Sequence, residues 1–305
     1  MKRRRILQIV DSREYILSNC FQSQLHSALS TKCGVTMVTP HDITNVNISA
    51  FDVVLSTLKQ RTLLKVCTDL RKYLRDVPVV VYDQDPWEAF RDDGPYKGSY
   101  FAIAEALNVK FFAVTTEWWS RFIESQQKLP CKFVRMWLLP GYCTQSRPFT
   151  DRNVNVGFIG GLHPYRKELF DYLNTQGVNV NIQPNRFSYS QYMNEVTNIK
   201  IVVHQEKMTL SVDGSPVSYG TGLWIKDIEA CARGCFSIRN IDEGWDTYLK
   251  NVPTCMLYSD MSEAPNMISK ILNMDDRMRQ AMIDETVSYI QNANLWDETI
   301  DVLTT

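Results

Sequence analysis

Two glycine-bearing segments hold the residue types that could bind a phosphate group. The first reads Gly157-Phe158-Ile159-Gly160-Gly161-Leu162-His163-Pro164-Tyr165-Arg166-Lys167, an apolar run that ends in two glycines and passes into a helical pattern. Such a turn brings bare backbone N–H groups to a helix N-terminus, where the dipole favours an anion, and Arg166 and Lys167 add fixed positive charge. The same residues can also be read as a structural Gly-Gly turn followed by a solvated basic pair. The second segment runs from Tyr219 through Gly220, Thr221 and Gly222 to Lys226, Glu229 and Gly234. Two glycines around a threonine would open a helix. Lys226 and Glu229, three apart, would share one of its faces, as a surface ion pair of small value if they have no other role, and Gly234 would end it. Neither segment is G-x-G-x-x-G and no P-loop lysine pattern occurs, which argues against ordinary dinucleotide and ATP-hydrolysing sites.

A third group is acidic. Asp83-Gln84-Asp85-Pro86-Trp87 follows a β-branched run, and Thr115-Thr116-Glu117 follows the apolar run Lys110–Val114. If these runs are parallel strands, both groups lie at strand C-termini, where α/β sheets place ligand contacts. Asp83, Asp85 or Glu117 could then act as a general base toward a hydroxyl. Two carboxylates two apart on an extended chain point opposite ways, so at most one of Asp83 and Asp85 would face a ligand. The competing role for these acids is to cap the helices that follow, Asp85 before Pro86 above all. Trp87, Trp118 and Trp119 could stack on a ligand ring or serve as core.

The elements that must position these groups alternate apolar runs with amphipathic stretches, the pattern of parallel sheets covered by helices. Strands are expected at 6–10, 35–38, 51–55, 78–82, 110–114 and 133–139. Helices are expected between them, one with Leu63, Leu64, Cys67, Leu70 and Leu74 at helical spacing. Residues 141–153 read as a polar linker. The pattern restarts with strands at 154–159, 178–182, 199–203 and 235–238, helices at 165–173, 189–196 and 223–233, a polar loop after 203, and a helical end. The expected fold is α/β, two Rossmann-like domains facing across a cleft. Their bounds are 1–145 and 153–285, followed by a C-terminal helix at 286–305.

Composition sets the limits. The 305 residues suit two domains, and 44% hydrophobic with 22% charged residues excludes a disordered or fibrous chain. Lys+Arg at 33 against Asp+Glu at 34 gives a formal charge of -1, so the surface as a whole has no field for a polyanion and any anion must be bound locally. Lys2-Arg3-Arg4-Arg5 is basic, but the stretch Ile6–Val10 that follows is only five residues long before Asp11, too short for a signal or an anchor. The eight cysteines show no C-x-x-C spacing. A reducing cytoplasm with buried thiols is therefore expected, without zinc or a disulfide framework.

The V-x-F-x-G-G strand-loop with its Arg-Lys, and the K-x-x-E-A-x-A-x-G stretch from Lys226 to Gly234, resemble the donor-binding half of GT-B glycosyltransferases. They look most like the CgeB-type group, with a glycosyltransferase group 1-like C-terminal domain. The resemblance covers about residues 154–300 and implies that the C-terminal helix at 286–305 crosses back to the first domain. It implies that Gly160, Gly161, Arg166 and Lys167 receive the diphosphate of a UDP- or GDP-sugar, that Glu229 bonds the ribose hydroxyls, and that His204 lies near the base. Thr221 and Gly222 would complete the donor site. Thr221 stands where many retaining members have a second glutamate, a departure from the E-x7-E pattern. The implied activity is transfer of a sugar to an acceptor hydroxyl on a glycan, a lipid-linked sugar or a modified nucleic-acid base. No metal and no cofactor beyond the donor are expected, although Asp83-x-Asp85 is similar to the D-x-D of the other large glycosyltransferase fold. A nucleotide-sugar epimerase and a non-catalytic nucleotide-binding protein are the alternatives.

Overall fold

The computed structural model describes residues 3–11, 21–74, 76–145, 147–183, 187–220, 225–241, 247–293 and 295–305. The chain forms two compact units. The first comprises Met1–Met136, Thr209–Ser218 and Leu295–Thr305, and the second Trp137–Met208 and Tyr219–Asn294.

The first unit is a six-stranded parallel sheet of β1 (Arg5–Ile9), β2 (Gly34–Val38), β3 (Val53–Ser56), β4 (Val79–Asp83), β5 (Val109–Val114) and β6 (Cys131–Phe133), in the order β2-β1-β3-β4-β5-β6. All five residues of β4 are buried, as befits a β-branched strand covered on both faces. Because the order reverses between β1 and β3, the loops leaving these strands diverge and open a crevice at their carboxyl ends.

The second unit repeats the arrangement with β7 (Val154–Ile159), β8 (Asn181–Gln183), β9 (Ile199–His204), β12 (Phe236–Asn240) and β13 (Cys255–Tyr258), ordered β13-β12-β9-β7-β8 and all parallel. Its reversal falls between β7 and β9. Val156 and Phe158 of β7 pack into one core with Ile201, Val203, Phe236 and Ile238. Ile159 faces the other core with Val202, Tyr192 and Val196. The period-two alternation of a strand thus feeds two helical layers.

Several sequence expectations differ from the structure. The run at 133–139 is a strand only up to Phe133. Val134, Met136, Trp137 and Leu138 are buried in a connecting segment instead, and the Trp137 indole N–H donates to the Ile290 carbonyl at 3.0 Å. The expected linker is built into the second unit. Phe149 and Arg152 are buried, and Arg152 donates to the carbonyls of Ile199 at 2.8 Å and Arg233 at 2.6 Å. The expected polar loop contains a hairpin of β10 (Lys207–Val212) and β11 (Ser215–Gly220). Asp213 and Gly214 turn it with φ of 49° and 76°, the two positive values that a two-residue hairpin turn demands. Tyr219 and Gly220 therefore lie at or near a strand end, not in a helix start. Asp92 of the first unit accepts from the backbone N–H of Asp213 at 3.0 Å and Gly214 at 2.9 Å. The C-terminal helical stretch is two helices, Asp276–Asn292 and Trp296–Thr304. The second of them counts with the first unit, where Asp297 pairs with Lys32 at 2.9 Å.

Candidate functional site

In the second unit, β7 ends at the reversal point in Gly160-Gly161 and the chain enters the helix Pro164–Thr175. Proline, which has no N–H, stands in its first turn; the N-cap residue His163 makes no side-chain hydrogen bond to it, and its carbonyl accepts from the N–H groups of Arg166 at 3.0 Å and Lys167 at 2.9 Å. Gly160 is a matter of space. A Cβ there would stand 2.8 Å from the Phe158 ring and 2.9 Å from Lys226 Nζ. Lys226, on the helix Ile225–Ala232, thus lies directly over the glycine turn, and its ammonium donates to the Ile159 carbonyl at 3.2 Å. Burial pushes the Lys226 ammonium below the usual lysine range, while the negative charges of Glu206 and Glu229 oppose that shift.

Arg166 does not stand open beside the turn. Its Nη2 donates to both Glu206 oxygens at 2.8 and 2.7 Å, its Nη1 to the Gly161 carbonyl at 2.8 Å, and the ion pair is buried with side-chain exposures of 5% and 2%. Glu206, just beyond the end of β9, is itself anchored by its N–H to Asn240 Oδ1 at 2.8 Å. The pair therefore spans the loops that leave β7 and β9 on the two sides of the reversal point. Lys167 is exposed and pairs with Asp171 one turn along the same helix. The expected basic pair is thus divided between a buried ion pair and the surface.

Glu229 is buried and accepts from the Tyr189 hydroxyl at 2.7 Å and also from Tyr192. Burial raises its carboxyl to about 7, against the opposing effects of Tyr189 and Lys226. His204, at the end of β9, is buried, and its Nδ1 lies 2.6 Å from Asp227 Oδ1. Asp227 also accepts from Arg239 Nη1 at 2.6 Å and from the Ser237 hydroxyl. Burial alone would raise the Asp227 carboxyl, but the charges of Arg239 and His204 reverse this and hold it below the usual range. The network fixes the His204 ring against Phe158, edge to face at 5.8 Å. Gly234 closes the helix with φ of 79°, its N–H donating to the Cys231 carbonyl at 2.9 Å. Thr221 and Gly222 lie outside the described residues.

In the first unit, Asp83 ends β4 and is buried. Its Oδ1 accepts from the Asp85 N–H at 2.9 Å and its Oδ2 from the Tyr100 hydroxyl at 2.9 Å. Burial raises its carboxyl to about 7. Asp85 is exposed and makes no side-chain cap to the short helical turn Pro86–Ala89, so the capping role falls away. Both acids line a cavity of about 240 Å³ at the carboxyl ends of β3 and β4, with Lys59, Gln60, Arg61 and Glu88. Glu117 begins the helix Glu117–Ser125, is exposed, and pairs with Arg121 at 2.7 Å. Trp119 is fully buried, stacked on Phe90 and edge-on to Trp118 and Phe122, which makes it a core residue.

The structure adds residues that sequence reasoning did not single out. Glu206 and Arg166 are 40 positions apart and meet through the pairing of β7 with β9, while Tyr189 and Glu229, also 40 apart, meet through the packing of the helices Tyr189–Val196 and Ile225–Ala232. Asp213-Gly214 was a visible turn signal. Among the described residues no group of three or more His, Cys, Asp and Glu side chains could hold a metal ion, and no helix is long and apolar enough to cross a membrane.

No family model and no curated protein matches this sequence. Solved structures do match in fold. An alpha-glucosyltransferase in complex with UDP superposes with a TM-score of 0.63 at 9% identity, covering 99% of this chain and 100% of that one. Sucrose-phosphate synthase from Thermosynechococcus elongatus gives 0.60 at 10% identity, with 98% and 97% covered. The DNA-modifying enzyme beta-glucosyltransferase, studied in the presence and absence of uridine diphosphoglucose, gives 0.58 at 11% identity, with 98% of each chain covered. Two parallel sheets with the same strand reversal, matched along nearly the whole chain, give this protein the fold of the GT-B glycosyltransferases.

Proposed function

We propose that the protein is a glycosyltransferase that moves a sugar from a nucleoside diphosphate sugar to an acceptor hydroxyl. The observation that carries this reading is Lys226 Nζ lying over the Gly160-Gly161 turn, beside a helix start whose N-cap side chain makes no capping bond. There a diphosphate would meet an ammonium, backbone N–H groups and the positive end of a helix. UDP is the first donor to test, since it is the nucleotide named for the alpha-glucosyltransferase neighbour. The Lys226 to Gly234 stretch supports kinship with the CgeB-type group. The buried thiols suit a cytoplasmic location.

In the transfer the acceptor oxygen forms its bond to the anomeric carbon as the bond from that carbon to the diphosphate oxygen breaks. Lys226 and the positive end of the helix dipole stabilise the charge that gathers on the departing diphosphate, which is the part usually given to a metal ion, so none is required. Glu229, oriented by Tyr189, accepts from the ribose diol. If the configuration inverts, Asp85 takes the acceptor proton. If it is retained, the leaving diphosphate takes it. A panel of UDP- and GDP-sugars, scored for nucleotide release with and without acceptors, tests the reading. Release with at least one donor is expected, and none with any donor would overturn it. Conversion of the sugar without an acceptor would instead identify an epimerase.

A further inference from the structure

The cavity at the carboxyl ends of β3 and β4 gathers polar groups whose demands are unmet. Gln60 is 6% exposed, and neither its amide oxygen nor its amide nitrogen meets a hydrogen-bond partner among the described residues; the Gln22 amide oxygen, in a residue 9% exposed, is in the same position. Amides buried in this way are costly unless something else pairs with them. The lining also carries charge of both signs. Gln60 is the first residue of the helix Gln60–Leu74, so Lys59 and Arg61, which flank it, place two cations at the positive end of a 15-residue helix. Asp83 at the end of β4, with Asp85 and Glu88 beyond it, supplies carboxyls to the same cavity. Lys59, Arg61 and Glu88 make no ion pair and no side-chain hydrogen bond among the described residues. Burial and the charge of Asp85 raise the Glu88 carboxyl above its ordinary value, against the opposing charges of Arg91, Arg61 and Lys59. A cation between Glu88 and Asp85 would relieve that repulsion. The volume of about 240 Å³ falls below that of pockets for drug-sized ligands, about 300–1,000 Å³, so the cavity admits only a small molecule.

We propose that this cavity binds a free α-amino acid, with its carboxylate at the helix start beside Lys59 and Arg61, its ammonium against the carboxyls of Glu88 and Asp85, and a polar side chain on the Gln60 carboxamide. A zwitterion answers both signs of charge at once. A simple anion would leave the carboxyls unpaired, a simple amine would leave the cations unpaired, and a neutral sugar would answer neither. The Gln60 carboxamide sets a donor beside an acceptor, which suits a hydroxyl or a second carboxamide on the ligand. The assignment concerns the first unit alone and stands whether or not the protein transfers sugar. Where Asp85 serves as the base of that reaction, a bound amino acid withholds it and inhibits transfer.

The test uses the full chain in titration calorimetry and thermal melting, with serine, asparagine and glutamine as ligands and propionate, ethylamine, glucose and inorganic phosphate as controls. At least one of the amino acids should bind saturably and raise the melting temperature, and each control should bind at least about tenfold more weakly. Gln60→Met should weaken amino-acid binding about tenfold or more and melt no lower than the wild type, since the amide it removes has no partner to lose. Glu88→Gln and, separately, Lys59→Ala with Arg61→Ala should each weaken binding too, the first through the ammonium and the second through the carboxylate. The proposal is overturned if none of the amino acids binds, if phosphate or glucose binds more tightly than all of them, or if Gln60→Met and Glu88→Gln bind like the wild type. Binding of UDP by a protein that takes none of these amino acids would sink the cavity assignment and leave the donor reading standing. Amino-acid binding that depends on Gln60, in a protein that takes no sugar nucleotide, would do the reverse.

Discussion

Glu206 holds Arg166 through both carboxylate oxygens, at 2.7 and 2.8 Å from one guanidinium nitrogen, in a pair almost closed to solvent. The carboxylate occupies the guanidinium that a diphosphate at the Gly160-Gly161 turn would otherwise seek. In the proposed site the cation left for an anion at this turn is Lys226, while Arg166 braces the loops after β7 and β9. Removing one partner of a buried pair leaves the other charge unpaired, at about 3–5 kcal/mol. Glu206→Ala should lower the unfolding free energy by roughly that amount, measured by chemical denaturation. Glu206→Gln should lose less, and UDP should restore part of the loss by giving Arg166 an anion. Wild-type stability in both variants would contradict the bracing role.

Lys226 should dominate diphosphate affinity. A charge-assisted hydrogen bond contributes about 1.5–3 kcal/mol, so Lys226→Met should weaken UDP binding by roughly 10- to 100-fold. Gly160→Ala tests the same point from the other side. Its new Cβ would collide with the lysine amine and the Phe158 ring, and the flexible lysine end gives way most easily. Titration calorimetry should show weakened UDP binding in both variants with the fold retained.

The Glu229 carboxyl lies at about 7 in the folded protein against about 4.5 in the unfolded chain, because it is buried. Between those values the folded state binds a proton that the unfolded state has released, so this group's contribution to stability is fully present below pH 4.5 and is lost as pH rises toward 7. Ligand binding runs the other way. The ionised carboxylate is the better acceptor for ribose hydroxyls, so UDP affinity should fall as pH drops below 7. In Glu229→Gln that dependence should flatten, and a pH titration of UDP affinity that is flat in the wild type would remove Glu229 from the site.

Three acids were candidates for the base, and their surroundings separate them. Asp83 has both oxygens engaged by Asp85 and Tyr100, and Glu117 is tied to Arg121 on the surface. Asp85 is exposed at the cavity. For an inverting enzyme, Asp85→Asn should lower kcat about 10²- to 10⁴-fold, Glu117→Gln should leave it unchanged, and Asp83→Asn should act on stability, with a melting curve to show it. An equal loss of kcat in Glu117→Gln would reverse this order.

Much of the architecture was legible because buried parallel strands announce themselves. The β-branched runs of β4, β7 and β9 admit little else. The hairpin at Lys207–Gly220 was signalled by the alternation of Met208, Leu210 and Val212 with polar residues and by the Asp213-Gly214 turn, whereas the overall polarity of the stretch points to a loop. Residues 141–153 looked like a linker because polar character was taken for exposure, whereas Arg152 is buried by satisfying backbone carbonyls. At the candidate site the glycine turn, Lys226 and Glu229 could be read from local spacing. The Arg166–Glu206 pair could not, because its partners meet only through the pairing of β7 with β9. Nor could the burial of His204 with Asp227, Ser237 and Arg239, which depends on β12 lying beside β9.

The central claim is that the Gly160-Gly161 turn and Lys226 form the diphosphate site of a sugar-nucleotide donor. Calorimetric titration of the wild type and Lys226→Met with UDP, GDP and their sugar conjugates tests it most directly. Saturable binding of at least one of these nucleotides to the wild type, and at least about tenfold weaker binding to the variant, is expected. Absence of binding to the wild type, or equal affinity in the two proteins, would contradict it.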